Sequence, residues 1–212
     1  MNLFEKYRPT SFADVIGQDK AVRSVDLLRK RGFGGRAIWL SGPSGTGKTT
    51  IARLIASEVA DDWSTIEIDA TGLTAADIER IADKARGKTI TGRGWCIIVN
   101  EAHGLTRGTI RKLLTTMEPI PASTTWIFTT TCEGQENLFG EQEDSHPLLS
   151  RCNMIALSQR GLADSFAKRI REIAQAEGLD GKPIEAYKRL VQEHRQNFRA
   201  CLSDIESGKM LD

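Results

Sequence analysis

The sequence has 212 residues, of which 40% are hydrophobic and 27% are charged, and its formal net charge is +1. This length allows one substantial core and a small second domain. The near-neutral charge excludes a strong overall basic field, so any contact with nucleic acid must come from a local patch. No apolar run approaches the roughly 18–20 residues that span a membrane, and the first residues lack the apolar core of a signal peptide, so we expect a cytoplasmic protein with no membrane contact.

Apolar runs of strand length alternate with amphipathic runs of helix length through residues 37–158. In chain order, the pattern predicts strands over 37–42, 65–69, 95–100, 124–131 and 154–158, with helices over 49–60, 75–86 and 108–118. Strands that are apolar on both faces and separated by helices are typical of a parallel sheet covered on each side. Only helical periodicity follows, over 162–178, 184–195 and 197–208. We therefore predict an α/β domain over 1–158 and a small all-helical domain over 159–212.

The glycine-rich segment GPSGTGKTT fits the phosphate-binding pattern G-x-x-x-x-G-K-[ST] between a predicted strand and a predicted helix. Its glycines let backbone N–H groups turn towards phosphates, and the helix adds its positive N-terminus. We expect Lys48 to reach the β- and γ-phosphates and the Thr49 hydroxyl to bind Mg²⁺. The predicted nucleotide contacts of this phosphate loop are Gly42, Pro43, Ser44, Gly45, Thr46, Gly47, Lys48, Thr49 and Thr50.

The apolar strand WCIIVN ends in a polar pair, Asn100 and Glu101, at a distance along the chain that suits the neighbouring strand of the sheet. Glu101 is the candidate general base that orients water for hydrolysis. Asn100 stands where an aspartate usually contacts Mg²⁺, mostly through the water shell of the metal. An amide keeps an acceptor oxygen but loses a full charge, so we expect weakened rather than abolished metal binding. The alternative is a subunit that no longer hydrolyses nucleotide and uses it only for assembly.

Together these motifs resemble those of the AAA+ ATPases, and further segments resemble the clamp loaders of that family. EKYRPTSFADVIGQ (5–18) resembles the start of replication factor C small subunits and of the bacterial DNA polymerase III tau/gamma subunit. IEIDATG (66–72) resembles the strand that ends in Asn-Ala-Ser in replication factor C, with Asp69 and Thr71 replacing two of those residues. In clamp loaders the first segment wraps the adenine base, which implies base contacts by Tyr7, Arg8, Pro9, Val15, Ile16 and Gly17.

Three later segments extend the resemblance to the catalytic residues. Residues 105–131 are similar to the helix and strand that lead to the sensor 1 residue, which implies this role for Thr131, with Thr130 as the nearby alternative. LLSRC (148–152) resembles the Ser-Arg-Cys sequence of replication factor C and implies that Arg151 is an arginine finger for a neighbouring subunit's ATP site. NFRACLSDIE (197–206) resembles the lid helix with the sensor 2 arginine, so Arg199 is expected at the γ-phosphate of its own chain.

The resemblance implies ATP and Mg²⁺ as ligands and neighbouring AAA+ subunits as partners. It also implies action on primed DNA and a sliding clamp, with DNA phosphates bound by Arg107, Arg111 and Lys112. Two features depart from the family: the 212 residues stop after the expected lid, where clamp loaders continue into a C-terminal collar domain, and residues 132–149 are longer and more acidic than the usual linker, which predicts a surface loop. Another DNA-processing AAA+ motor, for branch migration or recombination, is therefore an alternative to clamp loading.

Overall fold

A single parallel sheet organises the larger part of the protein in the computed structural model, which describes residues 2–134 and 145–211. Its strands lie in the order β2-β3-β4-β1-β5, and all four neighbouring pairs are parallel. The strands are β1 (Arg36–Ser41), β2 (Thr65–Asp69), β3 (Trp95–Asn100), β4 (Thr124–Thr130) and β5 (Cys152–Ala156). The helices of the described residues are α1 (Leu3–Lys6), α2 (Asp19–Arg31), α3 (Lys48–Val59), α4 (Ala75–Arg86), α5 (Arg107–Met117), α6 (Ser145–Ser150), α7 (Ala163–Ala176), α8 (Ile184–Glu193) and α9 (Phe198–Glu206).

Alternate residues of the central strands serve two separate cores. Trp39 and Phe128 stack at 5.5 Å between ring centroids on the face that is covered by α4 and α5. Ile38, Ile98 and Ile127 point the opposite way and pack against α2 and α3. Both faces of the sheet are therefore buried at its centre, which explains the unbroken apolar runs of β1 and β3. The predicted fold class, a phosphate-loop α/β sheet with helices on both faces followed by helices, is confirmed.

Parallel pairing brings the carboxyl ends of the strands to one edge of the sheet. The phosphate loop follows β1, Asn100 ends β3, and Thr130 ends β4. Strand β4 lies between β1 and β3, so the prediction that Asn100 is on the strand next to the phosphate loop is wrong by one strand. The threonines at the end of β4 consequently lie between the two motifs.

A third core joins α7, α8 and α9 in the C-terminal part of the chain. Phe166, Tyr187 and Leu202 are among its buried residues, and Leu3 of α1 packs with them although it is distant in sequence. The boundary that we predict at 158/159 falls between β5 and α7. The N-terminal segment thus contributes to the helical core from the other side of that boundary.

Several elements differ from the sequence prediction. The sequence pattern does not predict α1 or α2, and β5 begins at Cys152, two residues earlier than expected. The surface loop predicted over 132–149 lies largely outside the described residues, but its last part is wrong because α6 begins at Ser145. Leu148 in α6 is fully buried against the α5 side of the sheet, which ties this turn to the core. None of the described helices is both long enough and apolar enough to cross a membrane.

We expect Leu3→Ala to lower the free energy of unfolding by about 2 kcal/mol, because it leaves a cavity in the helical core. Leu27→Ala is the matched control, since Leu27 is 63% exposed whereas Leu3 is 6% exposed, and it should cost less than about 0.5 kcal/mol. Urea unfolding of both variants measures the difference. Equal losses would show that α1 does not help to stabilise the helices.

Candidate nucleotide site

The phosphate loop is held in a conformation that needs glycine. Gly45 has a φ of +75° and Gly47, the residue before α3, has a φ of +97°. A Cβ atom at Gly45 would lie 2.2 Å from Oδ1 of Asn197, the residue that caps α9. The loop backbone and the helical domain therefore touch at this point.

Lys48 is the cation of the phosphate loop. Its Nζ donates to the carbonyl oxygens of Gly42 and Pro43, at 2.8 Å and 2.9 Å, and the residue is 7% exposed. Burial lowers the pKa of this ammonium group, an effect that nearby Glu101 opposes. Both hydrogen-bond acceptors are neutral, so a buried cation at a helix N-terminus favours an anionic ligand. These residues fit a phosphate chain.

Asn100 connects the phosphate loop to two neighbouring strands. Its Oδ1 accepts hydrogen bonds from Thr129 at 2.9 Å and from Thr49 at 3.5 Å, and its Nδ2 donates to Glu67 Oε1 at 2.8 Å. The two predicted metal ligands, Thr49 and Asn100, thus present oxygen atoms to each other. Oxygen is the ligand that Mg²⁺ requires, and Mg²⁺ keeps several waters in protein sites, so this pair fits a Mg²⁺ site.

Glu101 follows directly in a left-handed backbone conformation, with φ 51° and ψ 48°. Such a conformation is uncommon for glutamate and costs about 1 kcal/mol or more. Its Oε2 lies 3.5 Å from Nδ1 of His103, and the side chain is 46% exposed. The carboxylate is therefore partly exposed to solvent, where it can accept a hydrogen bond from water.

The three threonines at the end of β4 have different contacts. Thr129 donates to Asn100, and the Thr130 hydroxyl lies 3.3 Å from His103 Nδ1. The hydroxyl of Thr131 instead accepts a hydrogen bond from the Gly134 amide at 3.0 Å. The sensor role of Thr131 stays a prediction, and Thr130 is the better connected to the Glu101 side of the site.

A cavity of about 380 Å³ lies between the N-terminal segment, the phosphate loop and the helical domain. The predicted base contacts Tyr7, Arg8, Pro9, Val15 and Ile16 line it, together with Gly45, Thr46, Gly47 and Thr50 of the loop region. Gly17 is not among the lining residues, and a Cβ there would instead meet the side chain of Leu162 at 2.1 Å. Five of the six base contacts that the resemblance implies therefore line one cavity beside the phosphate loop.

Arg199 also lines this cavity, with its guanidinium carbon 4.8 Å from the centroid of the Phe4 ring. Seven cavity residues were not predicted from the sequence: Phe4, Lys6, Thr10, Asp14, Phe166, Arg169 and Phe198. The first four lie in the segment 5–18 or directly before it and could have been found from that position. The other three come from α7 and α9, and only the packing of the helical domain brings them here.

Arg8 links the N-terminal segment to α3. Its Nη1 donates to the Thr50 hydroxyl at 3.1 Å, and its Nε donates to Glu5 at 3.0 Å. The hydrogen bond from Arg8 holds the pKa of the Glu5 carboxyl below its usual range. The segment that forms one wall of the cavity is thus fastened to the helix that begins at the phosphate loop.

Arg151 lies far from the phosphate loop of its own chain. It directly precedes Cys152, which pairs with Ala37 at the beginning of β1, whereas the loop follows Ser41 at the other end. Four residues of strand separate the two ends by roughly 13 Å. Its guanidinium contacts Glu118 Oε1 at 2.9 Å and the Pro147 carbonyl at 3.0 Å. This position suits a contact with another subunit better than one within its own.

The predicted DNA-binding residues lie at the start and middle of α5. Arg107 is its first residue, Arg111 follows one turn later, and Lys112 forms an ion pair with Glu79 at 2.8 Å. At the start of this helix the Thr109 amide donates at 3.3 Å to the capping hydroxyl of Thr106, so it is already engaged. The cationic side chains therefore have to carry the predicted interaction.

Comparison with known proteins identifies the family. Residues 38–160 match the family described as ATPase family associated with various cellular activities (AAA). The chain belongs to the AAA family. It is 33% identical over 183 residues to a replication factor C small subunit of Picrophilus torridus, which covers 83% of this chain and 54% of that protein. It is also 31% identical over 156 residues to the DNA polymerase III subunit gamma/tau of Mycobacterium bovis, covering 62% of this chain and 27% of the relative.

This AAA chain therefore spans about half the length of the replication factor C small subunits that it matches. The predicted resemblance to clamp-loader ATPases is confirmed. Among solved structures, the Holliday junction branch migration motor RuvB of Thermotoga maritima has a TM-score of 0.72 and 23% identity, covering 94% of this chain and 64% of that one. At this identity the likeness shows the AAA fold alone.

We expect Gly45→Ala to weaken binding of an ATP analogue about tenfold or more, because its Cβ would displace Asn197 and with it the start of α9. Gly72→Ala is the matched control: Gly72 has a similar φ of +83°, but a Cβ there meets nothing within 4 Å. Each variant should lose about 1 kcal/mol of stability to the left-handed conformation. Titration of a fluorescent ATP analogue separates the two effects, and equal affinities would argue against a role for this contact.

Proposed function

We propose that this chain is an ATP-binding and ATP-hydrolysing subunit of a clamp-loader-like complex that opens a sliding clamp and loads it onto primed DNA in replication. One observation carries the enzymatic part of this proposal. The phosphate loop, the Asn100–Glu101 pair and the β4 threonines converge at one edge of the sheet, beside a cavity lined by the N-terminal segment. Lys48, Thr49 and Glu101 are the residue types that nucleotide hydrolysis uses at these places, and Asn100 keeps an acceptor oxygen where an aspartate is usual.

Each residue of the site has a separate role in the proposed hydrolysis. Loop amides and Lys48 bind the phosphates, and the cavity walls around Tyr7 and Ile16 take the base. Thr49 and Asn100 hold Mg²⁺, which offsets the negative charge of the phosphates. Glu101 orients the attacking water and accepts its proton.

Two arginines complete the proposed site from different directions. Arg199 reaches the γ-phosphate from the helical domain of the same chain, as its place in the cavity wall allows. Arg151 enters the site of a neighbouring subunit, for which it must leave Glu118. An arginine supplied in this way stabilises transition-state charge and is worth roughly 10³–10⁵ in rate. Turnover then depends on assembly.

The replication role rests on similarity to replication factor C and to the gamma/tau subunit, together with the cationic residues of α5. Arg107, Arg111 and Lys112 contact DNA phosphates in this proposal, so binding should weaken as salt increases. The partners are neighbouring AAA+ subunits, primed DNA and a sliding clamp, and the place of action is the cytoplasm.

Two other functions have some support. A subunit that binds ATP only for assembly is favoured by Asn100, whose amide replaces a carboxylate. A different DNA-processing motor is compatible with the fold shared with RuvB, although that likeness extends only to the fold.

We expect Glu101→Gln to lower ATP turnover by about 100-fold or more, because an amide cannot accept the proton of the attacking water. Binding of an ATP analogue should persist, since the phosphate loop is unchanged. The measurement is ATP turnover across a Mg²⁺ titration, with and without primed DNA and partner subunits. Turnover that is absent from the unmutated chain at every Mg²⁺ concentration, with partners present, would favour the assembly-only function.

We expect Arg151→Ala to lower turnover of the assembled complex about 10³-fold while ATP binding is retained. Mixing this variant with a Lys48→Ala variant should restore part of the activity, because the second supplies the finger and the first supplies an intact phosphate loop. Glu118→Gln is the control, since it breaks the resting ion pair but keeps the arginine. Unchanged turnover in Arg151→Ala would contradict the finger assignment.

A further inference from the structure

Two side chains of α3 contact the strand that ends in Asn100 and its neighbour, β2. Thr49 and Arg53 are one helical turn apart and therefore share a face of α3. Thr49 contacts Asn100 of β3 at 3.5 Å, and Arg53 contacts Glu67 of β2 through two hydrogen bonds, of 2.8 Å and 3.1 Å. Asn100 Nδ2 in turn donates a hydrogen bond to Glu67 Oε1 at 2.8 Å, so hydrogen bonds connect the four side chains in the order Thr49, Asn100, Glu67 and Arg53.

Strand register explains why Glu67 can reach Asn100. Asp69 is the register partner of Asn100, and Glu67 lies two residues earlier on the same face of β2. A glutamate side chain is long enough to cover this diagonal separation. The contact thus follows from the pairing of β2 with β3.

The polarity of these contacts fixes the orientation of the Asn100 amide. A side-chain amide has an acceptor on one side and a donor on the other. Glu67 accepts from Nδ2, whereas the hydroxyls of Thr129 and Thr49 donate to Oδ1. A flipped amide would place its oxygen against the Glu67 carboxylate and leave the hydroxyls facing an N–H donor. Glu67 therefore keeps the amide oxygen turned towards Thr49.

An aspartate at position 100 would meet a different environment. Its second carboxylate oxygen would replace Nδ2 and lie beside Glu67 Oε1, where the amide now donates at 2.8 Å. Like charges at this distance repel, and Arg53 is already engaged with both oxygens of Glu67. The substitution that restores the usual acidic pair would thus cost stability in this chain.

We propose that Glu67 is a positioning residue of the nucleotide site, which orients the Asn100 amide oxygen towards Thr49 and makes asparagine the residue that fits at position 100. β3 ends in Asn100 instead of an aspartate, and the nearby carboxylate is that of Glu67 on the neighbouring strand β2. Through Arg53 these contacts also reach the cavity. Arg53 lies 3.7 Å from Glu5, and Glu5 pairs with Arg8, which lines the cavity. The part of this inference that concerns Mg²⁺ rests on the proposed function.

The test is a double-variant cycle of Asn100→Asp, Glu67→Gln and the two combined. The combination exchanges the charge between the strands and keeps a hydrogen bond, because the new glutamine amide can donate to the new carboxylate. Without nucleotide or metal, Asn100→Asp should lower Tm by about 2–4 °C, and adding Glu67→Gln should recover most of that loss. Glu58→Gln is the control, since Glu58 makes the same two-bond pair with Arg29 away from the site.

A second measurement reports on the nucleotide site and covers the case in which Asn100→Asp fails to fold. Glu67→Ala removes the acceptor of the amide, and it should raise the Mg²⁺ concentration that half-saturates binding of an ATP analogue by about threefold to tenfold. Glu67→Gln, which keeps an acceptor oxygen, should restore a value close to that of the unmutated chain. Glu58→Gln should leave the value unchanged.

Two outcomes would overturn the inference. One is an Asn100→Asp chain that is as stable as the original, with Glu67→Gln contributing the same change in both backgrounds. The other is a Glu67→Ala chain with an unaltered Mg²⁺ requirement. If no variant, nor the original chain, binds the ATP analogue, the proposed function fails, whereas the Tm cycle still decides whether Glu67 and Asn100 are coupled.

Discussion

The parallel pairing of β1, β3 and β4 is the constraint on which the site depends. Parallel strands end at one edge of a sheet, so residues that are far apart in sequence meet there without further folding. The buried Lys48 ammonium, the Asn100 amide and the β4 threonines all owe their proximity to this pairing. The tight apolar packing on both faces then leaves the strand ends little freedom to move.

The second half of the site comes from outside the sheet. Residues of the N-terminal segment and of α7 and α9 form the walls of the cavity, and the cap of α9 touches the phosphate loop at Gly45. A ligand in this cavity would contact the sheet domain and the helical domain at once. Ligand binding and the relative position of α9 are thereby linked through direct contacts.

Sequence periodicity predicts most of the fold because the strands contain short apolar runs and the helices between them are amphipathic. Helix α2 is missing from the prediction since only Ala21 and Val25 are buried in it, too few to mark a face. The phosphate loop is predictable from its glycine spacing, which reflects a local backbone requirement. The contact between Glu67 and Asn100 is not, because it depends on strand order and register, and neither is encoded in a local pattern.

The attachment of Leu3 has a consequence for the order of folding during synthesis. The Leu3 amide donates to Glu206 at the end of α9, and its side chain packs with α7 to α9. These partners leave the ribosome long after Leu3 does, so the sheet domain can form before the core into which Leu3 packs exists. Closing so long a loop costs little more entropy when the intervening sheet is already folded. Leu3 is therefore synthesised before the sheet but reaches its native place after it.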